Sequence, residues 1–236
     1  MQNQGQNSLC YILKDIVPKH VISNKNRAKS WLPGYNAKYD IIIISKNGTL
    51  GDIYEINGLK IGLPKKPKDI FSLSKKKDEQ YWQPRPLPTI LKRIQSIFQW
   101  HETLPAFKST WVDYIEKEFD QREEGYWFMN NGMPTYITGT HYMYLQWTKI
   151  DVGLPDFREA NRIFYIFWEA CKVDKRCFGM CYLKIRRSGF SFMSSCEGVN
   201  CGTITKDARI GILSKTGWDA KKMFTDKVVP ISNNYP

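Results

Sequence analysis

The stretch FGMCYLKIRRSGFSFMSS, Phe178 to Ser195, decides how the rest of this chain is read. Phe178, Met180, Cys181, Tyr182, Leu183 and Ile185 form an apolar run with almost no polar face. Such a run predicts a central strand buried on both sides in a parallel sheet, with Cys181 in the core. The run stops at Arg186. Lys184, Arg186, Arg187, Ser188, Gly189 and Ser191 then gather cations, hydroxyls and a residue free to take positive φ into one turn. Phe192 to about Val199 is predicted as a helix, kept short by Gly198 and Gly202. Where a turn feeds a helix, the first N–H groups lack intrahelical partners and the dipole adds positive character. That end attracts phosphate.

The spacing departs from the usual phosphate loop, which ends Gly-Lys-Ser/Thr. Here Gly189-Phe190-Ser191 puts an aromatic where the lysine belongs. Lys184 and Arg186 are both candidates for the displaced cation, and the spacing does not choose between them. Phe190 fits either packing behind the loop or contact with a nucleotide. Ser191 is placed to ligate Mg²⁺ through that nucleotide. On spacing alone, a strand end with three cations is more often a solvated, anion-attracting edge than an ATP site.

Downstream, Arg209 to Ser214 reads as a neighbouring strand and Gly217 to about Thr225 as the helix after it. The β-α-β order predicts a right-handed crossover and a parallel sheet, with ligand at the carboxyl ends of the strands. Upstream, a helix is expected from Phe157 to about Val173, with Ile163, Phe164, Phe167, Trp168 and Cys171 inward. Asp151 to Asp156, with Gly153 and Pro155, breaks the pattern and marks a domain boundary.

The first half reads as α+β. Residues 1–34 form a polar arm. Tyr39 to Ser45, Gly51 to Ile56 and Leu59 to Leu63 are strand-like, and Asn47-Gly48 and Asn57-Gly58 predict a three-stranded meander. Ile90, Leu91, Ile94, Ile97 and Phe98 recur at helical spacing. A second helix is bounded by Thr110-x-x-Asp113 and Gly125, with Trp111, Val112, Ile115 and Phe119 inward. Glu116, Glu118, Asp120, Glu123 and Glu124 form its wet face. Tyr126 to Met129 and Pro134 to Ile137 flank Asn131-Gly132, a hairpin signal. His141 reads as a structural histidine.

Composition sets the outer bounds. With 236 residues, 42% hydrophobic and 14% aromatic, the chain is expected to fold around a core. Thirty-five Lys and Arg against 23 Asp and Glu give a net charge of +12, a field that favours polyanions. No stretch approaches the roughly 18 consecutive apolar residues of a membrane span, so no membrane partner is expected. The first residues lack an apolar signal region, which points to a reducing, cytosolic setting. Cys171, Cys177, Cys181, Cys196 and Cys201 form no C-x-x-C, and no His pair accompanies them. Buried thiols are expected rather than a zinc site.

Three blocks in residues 157–231 resemble, in order, the start of the ATPase domain of the large terminase subunit of tailed bacteriophages. Phe157 to Phe164 is similar to the family's pre-motif helix, which implies an adenine-side role for Arg158 and Arg162. Leu183 to Ser191 is similar to its Walker A loop, whose variants carry the basic residue early, near Lys184 or Arg186. The resemblance makes Lys184, Arg186, Arg187, Ser188, Gly189, Phe190, Ser191 and Phe192 the nucleotide-binding set. Arg209 to Thr216 with Asp219 to Phe224 is similar to the next strand and helix. GYWFMNNGMPTYITGTHYMYLQW and KIRRSGFSFMSS are especially similar to terminases of the crAss-like phages.

The resemblance implies an α/β fold: an incomplete P-loop NTPase, with a parallel sheet flanked by helices, after an α+β region with a β-meander. The divisions are 1–34, 35–155 and 156–236. It implies ATP and Mg²⁺ as cofactors and a motor that packages DNA. Its partners would be double-stranded DNA, the portal protein and procapsid, the small terminase subunit and further copies in a ring. The setting would be the host cytoplasm and, transiently, the portal vertex. No strand closing in Asp-Glu follows the loop, so Walker B, the catalytic glutamate and the nuclease domain are expected beyond Pro236. No catalytic residue is assigned within the chain. The alternatives are a nonenzymatic basic module that binds nucleic acid, and another P-loop enzyme such as a helicase.

Overall fold

A computed structural model describes residues 35–36, 41–56, 58–88, 105–175 and 177–234. The expected arm at 1–34 and the helix expected on Ile90 to Phe98 lie outside these residues. The fold is mixed α/β, with small sheets among helices. It divides into two compact units, one drawn from Met1–Gln80, Trp127–Thr138 and Phe157–Ser188, the other from Tyr81–Tyr126, Gly139–Asp156 and Gly189–Pro236.

In the first unit β1 (Tyr35–Asn36), β2 (Ile41–Ile43), β3 (Ile53–Ile56) and β4 (Leu59–Gly62) form a sheet in the order β1-β2-β4-β3. β3 and β4 make the expected antiparallel hairpin, and Gly58 takes φ 77° at its turn. The meander itself is corrected, because β2 pairs in parallel with β4. Ile41, Ile42 and Ile43 are all buried, which suits an inner strand, whereas Ile53 is exposed and suits the edge that β3 takes. Asn47-Gly48 does turn the chain, with Gly48 N donating to Ser45 O at 3.0 Å, but it does not join paired strands.

β5 (Tyr126–Asn130) and β6 (Met133–Ile137) form the expected hairpin. Asn131 and Gly132 take φ 51° and 76°, the left-handed pair that a two-residue hairpin turn demands. Helix α1 (Ile70–Leu73) is short and buries Ile70. Helix α2 belongs to the other unit. Helix α4 (Glu159–Val173) lays Ile166, Phe167, Ala170 and Cys171 against Ile42, Ile61, Trp127, Met129 and Tyr136. Each such aliphatic or aromatic side chain contributes about 1.5–3 kcal/mol when fully buried. Ile163, expected inward, is exposed instead.

The second unit is helical. Helix α2 (Pro105–Glu124) starts at Pro105 rather than Thr110 and stops at Gly125, which takes φ 86°. Its expected stripe is corrected: Val112 and Phe119 are exposed, and Glu118, Gln121 and Arg122 are buried at i, i+3 and i+4. Glu118 is therefore not on a wet face. It accepts from Tyr142 Oη at 2.7 Å and Trp147 Nε1 at 3.1 Å, and Arg85 lies 3.8 Å away.

Helix α3 (Gly139–Trp147) is buried along its whole length, His141 included. It can pass that close to α2 because residue 139 is glycine: a Cβ there would lie 1.9 Å from Arg122 O. Helix α5 (Phe190–Ile204) packs on both α2 and α3. It begins two residues earlier than expected and continues through Gly198 and Gly202, whose bare backbones face Ile210. Helix α6 (Gly217–Met223), a π-helical turn (Phe224–Val228) and helix α7 (Val229–Asn234) complete the unit.

Two expected strands do not form among the described residues. Phe178 to Ile185 and Arg209 to Ser214 join no sheet, so the β-α-β crossover expected between them is not formed. Leu183 is 95% exposed, Ile185 80% and Leu213 98%, and Cys181 is exposed rather than in the core. A strand buried on both faces needs ladder partners at its edges and cover on its faces. An apolar run states that demand without supplying the partners. No helix among the described residues is long and apolar enough to cross a membrane.

Candidate functional site

The turn ahead of α5 has the backbone that its residues suggest. Residues 186–187 form a turn, Arg187 takes φ 66°, and Gly189 is the N-cap of α5 at φ 79° and ψ 4°. A Cβ on Gly189 would meet Tyr144 Oη at 3.7 Å, an ordinary contact. The glycine therefore answers to the left-handed backbone rather than to lack of space. A non-glycine residue costs about 1–2 kcal/mol in that region, which Arg187 bears.

Lys184, Arg186 and Arg187 are exposed, as is Ser191. Ser188, Gly189, Phe190 and Phe192 are half-buried. No side chain caps α5: Phe192 N and Met193 N donate to Gly189 O at 3.0 and 3.2 Å. Among the described residues, neither a side-chain cap nor an acidic residue in the first turn compensates the positive end of the helix dipole. The hydroxyl of Ser188 is shielded from solvent and has no hydrogen-bond partner among the described residues. A buried hydroxyl left so costs about 1–3 kcal/mol, which an oxyanion acceptor would relieve.

Behind its first turns α5 is fixed by polar contacts. Thr140 Oγ1 donates to Glu197 Oε2 at 2.5 Å and accepts from Asn200 Nδ2 at 3.1 Å. Arg122 Nε donates to Asn200 Oδ1 at 3.0 Å, Asn200 Nδ2 donates to Arg122 O at 3.2 Å, and the Arg122 guanidinium also meets Thr203 Oγ1. Buried networks of this kind, fully paired, specify one arrangement. Burial pushes the Cys196 thiol on the same helix up to about 12, so it stays protonated and inert at neutral pH.

The adenine-side candidates are placed differently. Arg158 is the exposed N-cap residue of α4. Arg162 is buried, donates to Tyr136 O at 2.7 Å and Glu159 Oε1 at 2.6 Å, and lies 4.6 Å from the Tyr54 ring centroid. Its guanidinium therefore ties α4 to the β5–β6 hairpin. Sequence spacing missed Lys227, whose ammonium lies 3.6 Å from the centroid of the Phe192 ring. No motif signal links residues so far apart in sequence.

No family model matches the chain. Neither the curated proteins nor the solved structures include a match.

Proposed function

We propose that the chain is a terminase-like P-loop ATPase segment that binds ATP and Mg²⁺ at the turn from Lys184 to Phe192. The reading rests on the resemblance of residues 157–231 to the large terminase subunit. One structural observation carries it furthest: an exposed cationic turn passes through the left-handed Gly189 into a 15-residue helix that no side chain caps. In this reading Arg186 or Lys184 neutralises phosphate charge. Ser188 Oγ and the first amides of α5 donate to phosphate oxygens, and Ser191 Oγ ligates Mg²⁺. Bound ATP supplies the phosphoryl group, and the chain's residues hold and orient it. The finer fold, an incomplete P-loop NTPase, belongs to the same proposal.

The work done would be movement of double-stranded DNA into a procapsid, with the portal protein, the small terminase subunit and further copies in a ring. The net charge of +12 supports a polyanion partner. It equally favours the second reading, a nonenzymatic module that binds nucleic acid. ATP affinity separates the two. With Mg²⁺ present, Arg186→Ala or Lys184→Ala is expected to weaken ATP binding about tenfold, the loss of one charge-assisted contact. Salt-dependent DNA binding by a chain without affinity for ATP would favour the module instead.

A further inference from the structure

We infer that Lys227 supplies the cation that the turn lacks at Phe190, next to the first turn of α5. The inference rests on the nucleotide-binding reading above and names a further residue of that site. Lys227 lies on the π-helical turn Phe224–Val228, which packs along α5. Such turns recur at functional sites. Its ammonium stands 3.6 Å from the centroid of the Phe192 ring. Phe192 is the third residue of α5, and side chains there lean toward the start of the helix, where the phosphates would lie.

The kind of partner matters more than its proximity. A carboxylate would cancel the ammonium's charge, whereas an aromatic face positions a cation and leaves its charge in place. Among the described residues Lys227 forms no ion pair. The enclosed Ser188 hydroxyl, without a hydrogen-bond partner among the described residues, is a separate sign that the turn lacks an anionic acceptor. A lysine is a compact point charge on a flexible stem, which suits it to reach a phosphate from a neighbouring element. The aromatic at 192 then has a role that its position in the motif does not suggest: it holds in place the lysine that 190 does not provide.

Calorimetric titration of the full chain with ATP and Mg²⁺ tests this, using wild type, Lys227→Met, Lys227→Arg and Arg186→Ala. Lys227→Met is expected to bind about tenfold more weakly, with Lys227→Arg within about threefold of wild type. Adenosine, which has no phosphates, is expected to bind all four alike. Wild-type affinity for ATP in Lys227→Met, with Arg186→Ala weakened, overturns this inference and leaves the proposed function standing. A wild-type chain that does not bind ATP overturns both. Circular dichroism checks the fold of each variant, and Lys227→Gln takes the place of Lys227→Met should the latter not fold.

Discussion

The phenol of Tyr142 donates to Glu118 Oε2 at 2.7 Å and accepts from Arg85 Nη2 at 2.6 Å, so one hydroxyl joins a buried carboxylate to a guanidinium. Arg85 is held further by Gln121 Oε1 at 2.5 Å, and its backbone exchanges hydrogen bonds with the Gln146 side chain. Tyr142→Phe removes the shared hydroxyl and leaves Glu118 with one donor fewer. The expected cost is about 1.5–3 kcal/mol. Thermal unfolding is expected to drop by roughly 4–10 °C. An unchanged melting temperature would mean that the network contributes nothing to stability.

The same cluster sets an alkaline limit. Burial, with the negative charge of Glu118 behind it, pushes the Tyr114 phenol from 10.0 up to about 12 and raises Tyr142 as well. The folded chain therefore keeps these protons where the unfolded chain releases them. Their contribution to stability is intact below pH 10 and is lost as pH rises toward 12 and above. Unfolding midpoints measured from pH 8 to 11 are expected to fall above pH 10, less steeply in Tyr142→Phe. Equal slopes in the two proteins would count against the assignment.

Two glycines with different duties give opposite expectations. Gly139→Ala drives a methyl group into the Arg122 carbonyl and is expected to abolish folding or cost more than about 3 kcal/mol. Gly132→Ala meets nothing within 4 Å and bears only its left-handed φ of 76°, so about 1–2 kcal/mol is expected. Denaturant midpoints of the two variants give the order directly, and the reverse order would be inconsistent with α3 passing so close to α2.

Thiol labelling checks the placement of the cysteines. Cys181 is exposed, Cys177 and Cys201 are half-buried, and Cys171 and Cys196 are buried. With iodoacetamide at pH 8, mass spectrometry is expected to find Cys181 modified first and Cys196 last, since its thiolate scarcely forms below about pH 12. Early modification of Cys196, or a protected Cys181, would contradict the fold around Phe178 to Ile185.

What could be read from sequence followed the range of the forces involved. Asn131-Gly132 and Gly125 act through their own backbone, so the hairpin and the end of α2 were legible. The face of α2 was not, because the polar residues Glu118, Gln121 and Arg122 are buried by partners from other segments. Phe178 to Ile185 misled for a related reason: apolar content predicts burial only where a ladder partner exists. At the turn, the cations and Gly189 were legible as a motif. Lys227 beside Phe192 was not, since only the path of the chain brings them together.

The central claim is that the turn from Lys184 to Ser191 grips a triphosphate. Hydrogen–deuterium exchange of the full chain, with and without ATP and Mg²⁺, tests it most directly, because the amides from Arg187 to Met193 report their own partners. Slowed exchange confined to that segment and its near neighbours is expected on adding ATP. Unchanged exchange there under saturating ATP, or protection centred elsewhere on the chain, would contradict the account.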